Sequence, residues 1–276
     1  MTMRRIDTNG ISLNVEIHGQ GEPVLFLHGW PDDASVWRKQ IPGFVAAGYQ
    51  CVIPNLRGVG GSDGPEDVKA YRTAELSADV IGILDELSIE SVKVVGHDWG
   101  ASLVWGLLSL HSTRFRRAVV MSVGHPACMW DMTNIKQRAA SWYAYYFQLD
   151  DFSPTSFSDN DFEVFRAFMA DAPDVERRIR RFKAYPDQFV NHIKWYQGLD
   201  GARASKQRYA GLPKIRVPML ALAGENDFAL TIDQLKDSAD YVVGEYEFGV
   251  LPRVGHWMQL EAPDVVNRLL LAYLEK

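Results

Sequence analysis

The chain has 276 residues, 47% of them hydrophobic and 23% charged, a composition that builds one large folded core and excludes a disordered or fibrous chain. Lys and Arg number 29 against 35 Asp and Glu, a formal net charge of −6. No basic run is available to neutralise phosphates, which excludes nucleic acid and anionic membrane as expected partners. Cys51 and Cys128 are too few for a disulfide framework and lack zinc-ligand spacing, so both read as small buried hydrophobes in a reducing compartment. The polar start and the absence of an apolar run of about 18 residues give the expectation of a soluble, cytoplasmic protein.

In chain order, Asn9-Gly10 is a tight-turn signal, and the alternation that follows over 11–18 predicts a hairpin or edge strand. Short aliphatic runs at 24–27, 51–53, 92–95, 118–121 and 219–223, bounded by Gly, Pro or His, predict buried parallel strands. Helical spacing covers 73–87, 101–111 and 263–275. Strands alternating with helices predict an α/β fold, a doubly wound and mostly parallel sheet with helices on both faces. The alternation stops after His125. Residues 126–214 hold 17 of the 32 aromatic residues and no strand-like run. They are predicted to form an inserted helical cap on a core made of 1–125 and 215–276, roofing the sheet edge where such folds bind ligands.

Gly96-His97-Asp98-Trp99-Gly100-Ala101 lies between a predicted strand and a predicted helix, the setting of a nucleophile elbow, with small residues flanking a side chain held on a sharp turn. A carboxylate there is already ionised at neutral pH and can attack carbon without a base. Asp227 in Gly224-Glu225-Asn226-Asp227 is placed at a strand end as the acid, with Glu225 as a substitute, and His256 in Gly255-His256-Trp257 follows the strand-like 246–251. His28, His97 and His125 also fall near the sheet edge and read as structural. His28-Gly29-Trp30-Pro31 follows the strand 24–27; its Trp30 N–H, with that of Trp99, would form an oxyanion hole. The glycine-rich Arg57-Gly58-Val59-Gly60-Gly61-Ser62 lacks the Walker lysine and reads as a structural loop.

Taken together these residues resemble the epoxide hydrolases of the α/β-hydrolase fold over nearly the whole chain. His28-Gly29-Trp30-Pro31 is similar to that family's H-G-x-P, with a cis Trp30-Pro31 bond implied, and Gly96–Gly100 and Gly255–Trp257 are similar to its nucleophile and histidine motifs. The resemblance implies a cap that supplies two ring-opening tyrosines. Tyr143, ahead of Tyr146-Phe147-Gln148, and Tyr196, after Trp195, stand at the matching positions. It further implies attack by Asp98 to give an alkyl ester, hydrolysis by water activated by His256 and Asp227, and a diol product. Trp30, Trp99, Phe147 and Trp257 would contact an apolar or aryl epoxide; no cofactor or metal is expected, and the partners are the epoxide and water. A detoxifying role fits, and oligomeric state stays open, a homodimer included. The chain departs from the family after Gln148, reading Leu149-Asp150-Asp151-Phe152 where a Pro-Gly turn and an acid are common. A haloalkane dehalogenase would share Asp98 and His256, but would leave both tyrosines without a purpose. A ligand-binding protein with a vestigial site is the alternative outside enzymes.

Overall fold

The computed structural model describes residues 1–149, 152–199 and 201–276; Asp150 and Asp151, in the departure after Gln148, lie outside them. Eight strands, β1 (Thr2–Thr8), β2 (Ile11–His18), β3 (Glu22–Leu27), β4 (Tyr49–Pro54), β5 (Val92–His97), β6 (Phe115–Met121), β7 (Met219–Gly224) and β8 (Tyr246–Leu251), form one sheet in the order β1-β2-β4-β3-β5-β6-β7-β8. The β1–β2 hairpin turns on Asn9 and Gly10, both at positive φ, and β2 pairs antiparallel with β4. From β4 to β8 every pairing is parallel. β1 has no apolar run to announce it, since Ile6 alone of its seven residues is buried.

The central strands read as continuous aliphatic runs because both faces are covered; Val24 to Leu27 and Val94 to Val95 are fully buried. The covering helices of the core are α1 (Ile41–Ala46), α2 (Thr73–Glu86) and α3 (Trp99–Leu110). Behind β5, α3 is apolar nearly all round and buries nine of its twelve residues, as befits a helix enclosed by the sheet and its neighbours.

Between β6 and β7 the named elements among the described residues are helices: α4 (Pro126–Met129), α5 (Ile135–Ala140), α6 (Trp142–Tyr146), α7 (Thr155–Phe168), α8 (Val175–Ala184), α9 (Pro186–Gln197) and α10 (Ala202–Ala210). Within α7 the backbone leaves helical geometry at Asp159–Phe162. After β7 come α11 (Ile232–Lys236), α12 (Met258–Glu261) and α13 (Pro263–Leu274). Among the described residues no helix is long and apolar enough to cross a membrane. Because the strands from β4 to β8 run parallel, their C-terminal ends share one edge. The loops after β3, β5, β7 and β8 therefore converge there and bring residues 28–32, 98, 227 and 256 together.

Candidate active site

β5 ends at His97 and α3 begins at Trp99, so Asp98 alone makes the turn, at φ 53° and ψ −121°. A non-glycine residue costs about 1–3 kcal/mol in such a conformation and keeps it when its surroundings leave no alternative. Here they leave none: a Cβ at Gly100 would stand 2.1 Å from the Leu27 carbonyl oxygen, and one at Gly29 would stand 2.3 Å from Asp98 Oδ1. The close approach of the β3 loop lets the Trp30 N–H donate to Asp98 Oδ1 at 2.7 Å. The Trp30-Pro31 peptide that follows is cis.

His256 faces this carboxylate. Its Nε2 lies 3.7 Å from Asp98 Oδ2, and its Nδ1 lies 2.8 Å from Asp227 Oδ2. The other Asp227 oxygen accepts from the backbone N–H of Ala229 and Leu230 at 2.9 and 3.0 Å, which fixes the carboxylate plane. Glu225 points elsewhere and accepts from the Arg253 N–H on an exposed loop. The main chain of His256 is held as well: its carbonyl oxygen accepts from His97 Nε2 at 2.9 Å and Ser122 Oγ at 3.3 Å. His28 bridges Gly29 and Leu56, and His125 stacks on Tyr241 with ring centroids 4.0 Å apart. These three histidines are buried structural groups.

A small cavity is lined by Asp98 and Trp99 together with Tyr143 of α6 and Tyr196 of α9. Val123, Met129, Trp130 and Leu230 also line it, and Ser102 adds a hydroxyl. Of the four expected substrate contacts Trp99 lines it, and Trp30, Phe147 and Trp257 do not. Phe147 sits one layer back, its ring 5.4 Å from Trp30 and 5.2 Å from Tyr196. Trp257 is turned away because its indole N–H donates to Asp32 at 2.7 Å. Trp30 presents its amide to Asp98, whereas its ring stacks on Tyr143 at 5.9 Å. The cavity wall from Met129 and Trp130 was not legible in the sequence, since α4 reaches the site through tertiary packing and has no motif. Among the described residues no group of three or more His, Cys, Asp or Glu is placed to hold a metal ion.

Residues 22–263 match the α/β-hydrolase fold family. The chain is 31% identical to epoxide hydrolase A of Mycobacterium tuberculosis, covering 99% of this chain and 97% of that one. It belongs to the epoxide hydrolase family. A second relative at 31%, the AB hydrolase superfamily protein YfhM of Bacillus subtilis, covers 98% of this chain and 96% of its own. Among solved structures, the epoxide hydrolase of Bacillus megaterium in complex with an inhibitor superposes with a TM-score of 0.88 at 25% identity, covering 99% of this chain and 100% of that one.

The electrostatics of this epoxide hydrolase family member follow from near-complete burial. Burial pushes the Asp98 carboxyl up, while the neighbouring His256 and the N–H groups of Trp99 and Trp30 pull it the other way. Burial disfavours a charged His256, yet the Asp227 carboxylate, followed by Asp98, outweighs it and holds the imidazole up at about 8. Asp227 is held below the usual carboxylate value despite its burial, chiefly by His256. Tyr143 and Tyr196 are pushed well above the usual phenol value, first by burial, and also by the Asp98 charge. Both phenols therefore stay protonated donors over any working pH. Burial drives His97 down to about 3, so it is a neutral donor to the His256 carbonyl.

Proposed function

We propose that the protein converts an apolar or aryl epoxide to a vicinal diol through an ester on Asp98. The observation that carries this reading is one cavity lined by both a carboxylate, Asp98, and two buried phenols, Tyr143 and Tyr196, whose pKa values are raised. A strained ether with a poor leaving group needs both: a nucleophile at carbon, and donors for the oxygen on which charge develops.

In the first step Asp98 attacks a ring carbon from the face opposite the oxygen. The C–O bond breaks, and the oxygen takes a proton from the pair formed by Tyr143 and Tyr196. In the second step His256 Nε2 removes a proton from water as it adds to the ester carbonyl, and the oxyanion is stabilised by the N–H groups of Trp30 and Trp99. Collapse breaks the ester C–O bond, the leaving alkoxide takes the remaining proton of the added water to complete the diol, the Asp98 carboxylate is restored, and the proton on His256 returns to the phenol. The residues of the cap-like helices, 126–214, supply the donors, and the strand-end loops supply the rest. Esterification also prepares its own hydrolysis. It neutralises Asp98, one of the two near carboxylates that hold His256 at about 8, so the imidazole falls towards neutrality when a base is required.

The test is a single turnover in ¹⁸O-water. The label is expected in the Asp98 carboxylate with none in the first diol formed; label in that diol would mean direct attack by water and would end the ester reading.

A further inference from the structure

Behind the catalytic wall lies a buried ion pair that takes no part in the steps above. Asp32, two residues after Trp30, meets Arg178 of α8: Nε reaches Oδ1 at 2.8 Å and Nη2 reaches Oδ2 at 3.1 Å. The Asp32 and Arg178 side chains are 7% and 2% exposed. The same Oδ2 accepts the indole N–H of Trp257, the neighbour of His256, and the Arg178 guanidinium lies 4.5 Å over that indole ring. The Asp32 N–H closes a turn onto the Gly29 carbonyl, which fixes the strand-end loop carrying the Trp30 amide. One turn further along α8, Arg181 pairs with Asp33 at 3.1 Å and donates to the Pro31 carbonyl.

One helix between β6 and β7 thus grips two loops of the core. One carries the Trp30 N–H and the other carries His256. In the resting enzyme both help to hold Asp98 as an oriented carboxylate, but only in ester hydrolysis do they act on the reacting atoms, as oxyanion donor and as base, so that step depends most on their exact placement. A buried ion pair gives little stability over an apolar pair of similar size, because both charges must be desolvated. Its strength is geometric: a bidentate guanidinium–carboxylate contact fixes a plane, and a ring held by an N–H bond and a cation over its face has one orientation.

We propose that Asp32 and Arg178 are positioning residues that hold the Trp30 N–H and His256 in register for water attack on the ester, so that the seating of α8 governs the second half-reaction. The proposal rests on the ester reading given above. Its test uses the full chain with Arg178→Met and, because that change strands a buried carboxylate, also with Asp32→Asn/Arg178→Met, which strands no charge. With styrene oxide, ester formed and ester lost are followed by rapid quench and intact-protein mass. In the double variant, formation is expected within about threefold of the parent while decay slows by about tenfold or more, so that ester accumulates at an unchanged Tm. Equal slowing of both steps, or unchanged decay, overturns the proposal. A second readout needs no substrate: exchange of the Trp257 indole N–H with solvent, followed by NMR, should be about tenfold faster in the double variant. An unchanged indole overturns the clamp alone. A faster indole in a protein whose parent forms no ester overturns the ester reading, and with it the step assigned to the clamp.

Discussion

Gly29→Ala is the smallest change that separates the chemistry from the fold. The added methyl carbon would stand 2.3 Å from Asp98 Oδ1, 2.5 Å from Asp98 Cβ and 2.7 Å from the Trp99 nitrogen, all below the 3.0 Å that such carbons tolerate. Asp98 is wedged by its own turn, so the β3 loop is the part that gives, by about 0.7 Å. That stretches the 2.7 Å bond from the Trp30 N–H to Asp98 beyond useful range. A hydrogen bond to a charged group contributes about 1.5–3 kcal/mol, which as a barrier is about 10- to 150-fold in rate. The loss falls on ester hydrolysis, where this N–H stabilises the oxyanion. Overpacking by one methyl costs the fold about 1–3 kcal/mol, and in a chain of this size Tm falls by about 2 °C per kcal/mol. The assay is steady-state turnover of an aryl epoxide, ester content by intact mass, and a thermal melt. Low turnover with ester accumulating and a Tm down by only a few degrees is expected. Turnover within about twofold of the parent would refute the claim that this amide takes part.

His256→Gln removes the base and leaves the nucleophile; ester should form on mixing with an epoxide and persist, visible as one added substrate mass, and rapid release of diol would contradict the role given to His256. Tyr143→Phe and Tyr196→Phe each remove one donor to the departing oxygen and should slow ester formation by about 10²- to 10³-fold without slowing its decay, checked by the same quench; formation at the parent rate in both would show that the phenols are bystanders. Burial holds His28, His97 and His125 neutral, down to about 4, 3 and 3, whereas the unfolded chain takes up these protons near 6.5. The unfolded state thus binds more protons below 6.5, and stability should fall with pH there by about 4 kcal/mol per unit for the three together. His256, held up at about 8, has the opposite sign, its contribution present below 6.5 and lost as pH rises through 8. Urea midpoints that stay flat between pH 6.5 and 5 would contradict this.

Local signals carried much of this architecture. The strand runs were legible because strands buried on both faces must be aliphatic throughout, and the turn at Asn9-Gly10 because two positive φ values in a row favour those residues. The carboxylate in contact with His256 is Asp227 and not Glu225, a choice that depends on which way a loop turns after β7. What local sequence did not carry is whatever depends on long-range approach. Phe147 reads as a wall residue, but it packs on Trp30 and Tyr196 and does not line the cavity. Trp257 is adjacent to the histidine in sequence, yet a buried acceptor on another loop takes its N–H. Arg178 lies in α8 among the exposed Arg177, Arg180 and Lys183, and nothing nearby in the chain indicates that it is buried against Asp32.

Strands β6 and β7 lie side by side, Ala118 against Met219, although the helices from α4 to α10 intervene in the chain. The excursion leaves and re-enters at adjacent points of the sheet edge, so its length and sequence can drift without altering the pairing of a single strand. Met129, Trp130 and Ala144, which line the cavity, all come from that excursion. Such an arrangement lets recognition of new molecules be sampled by insertion, deletion or exchange in one contiguous gene segment, within the limit that Tyr143, Tyr196 and the arginines of α8 that meet Asp32 and Asp33 keep their places.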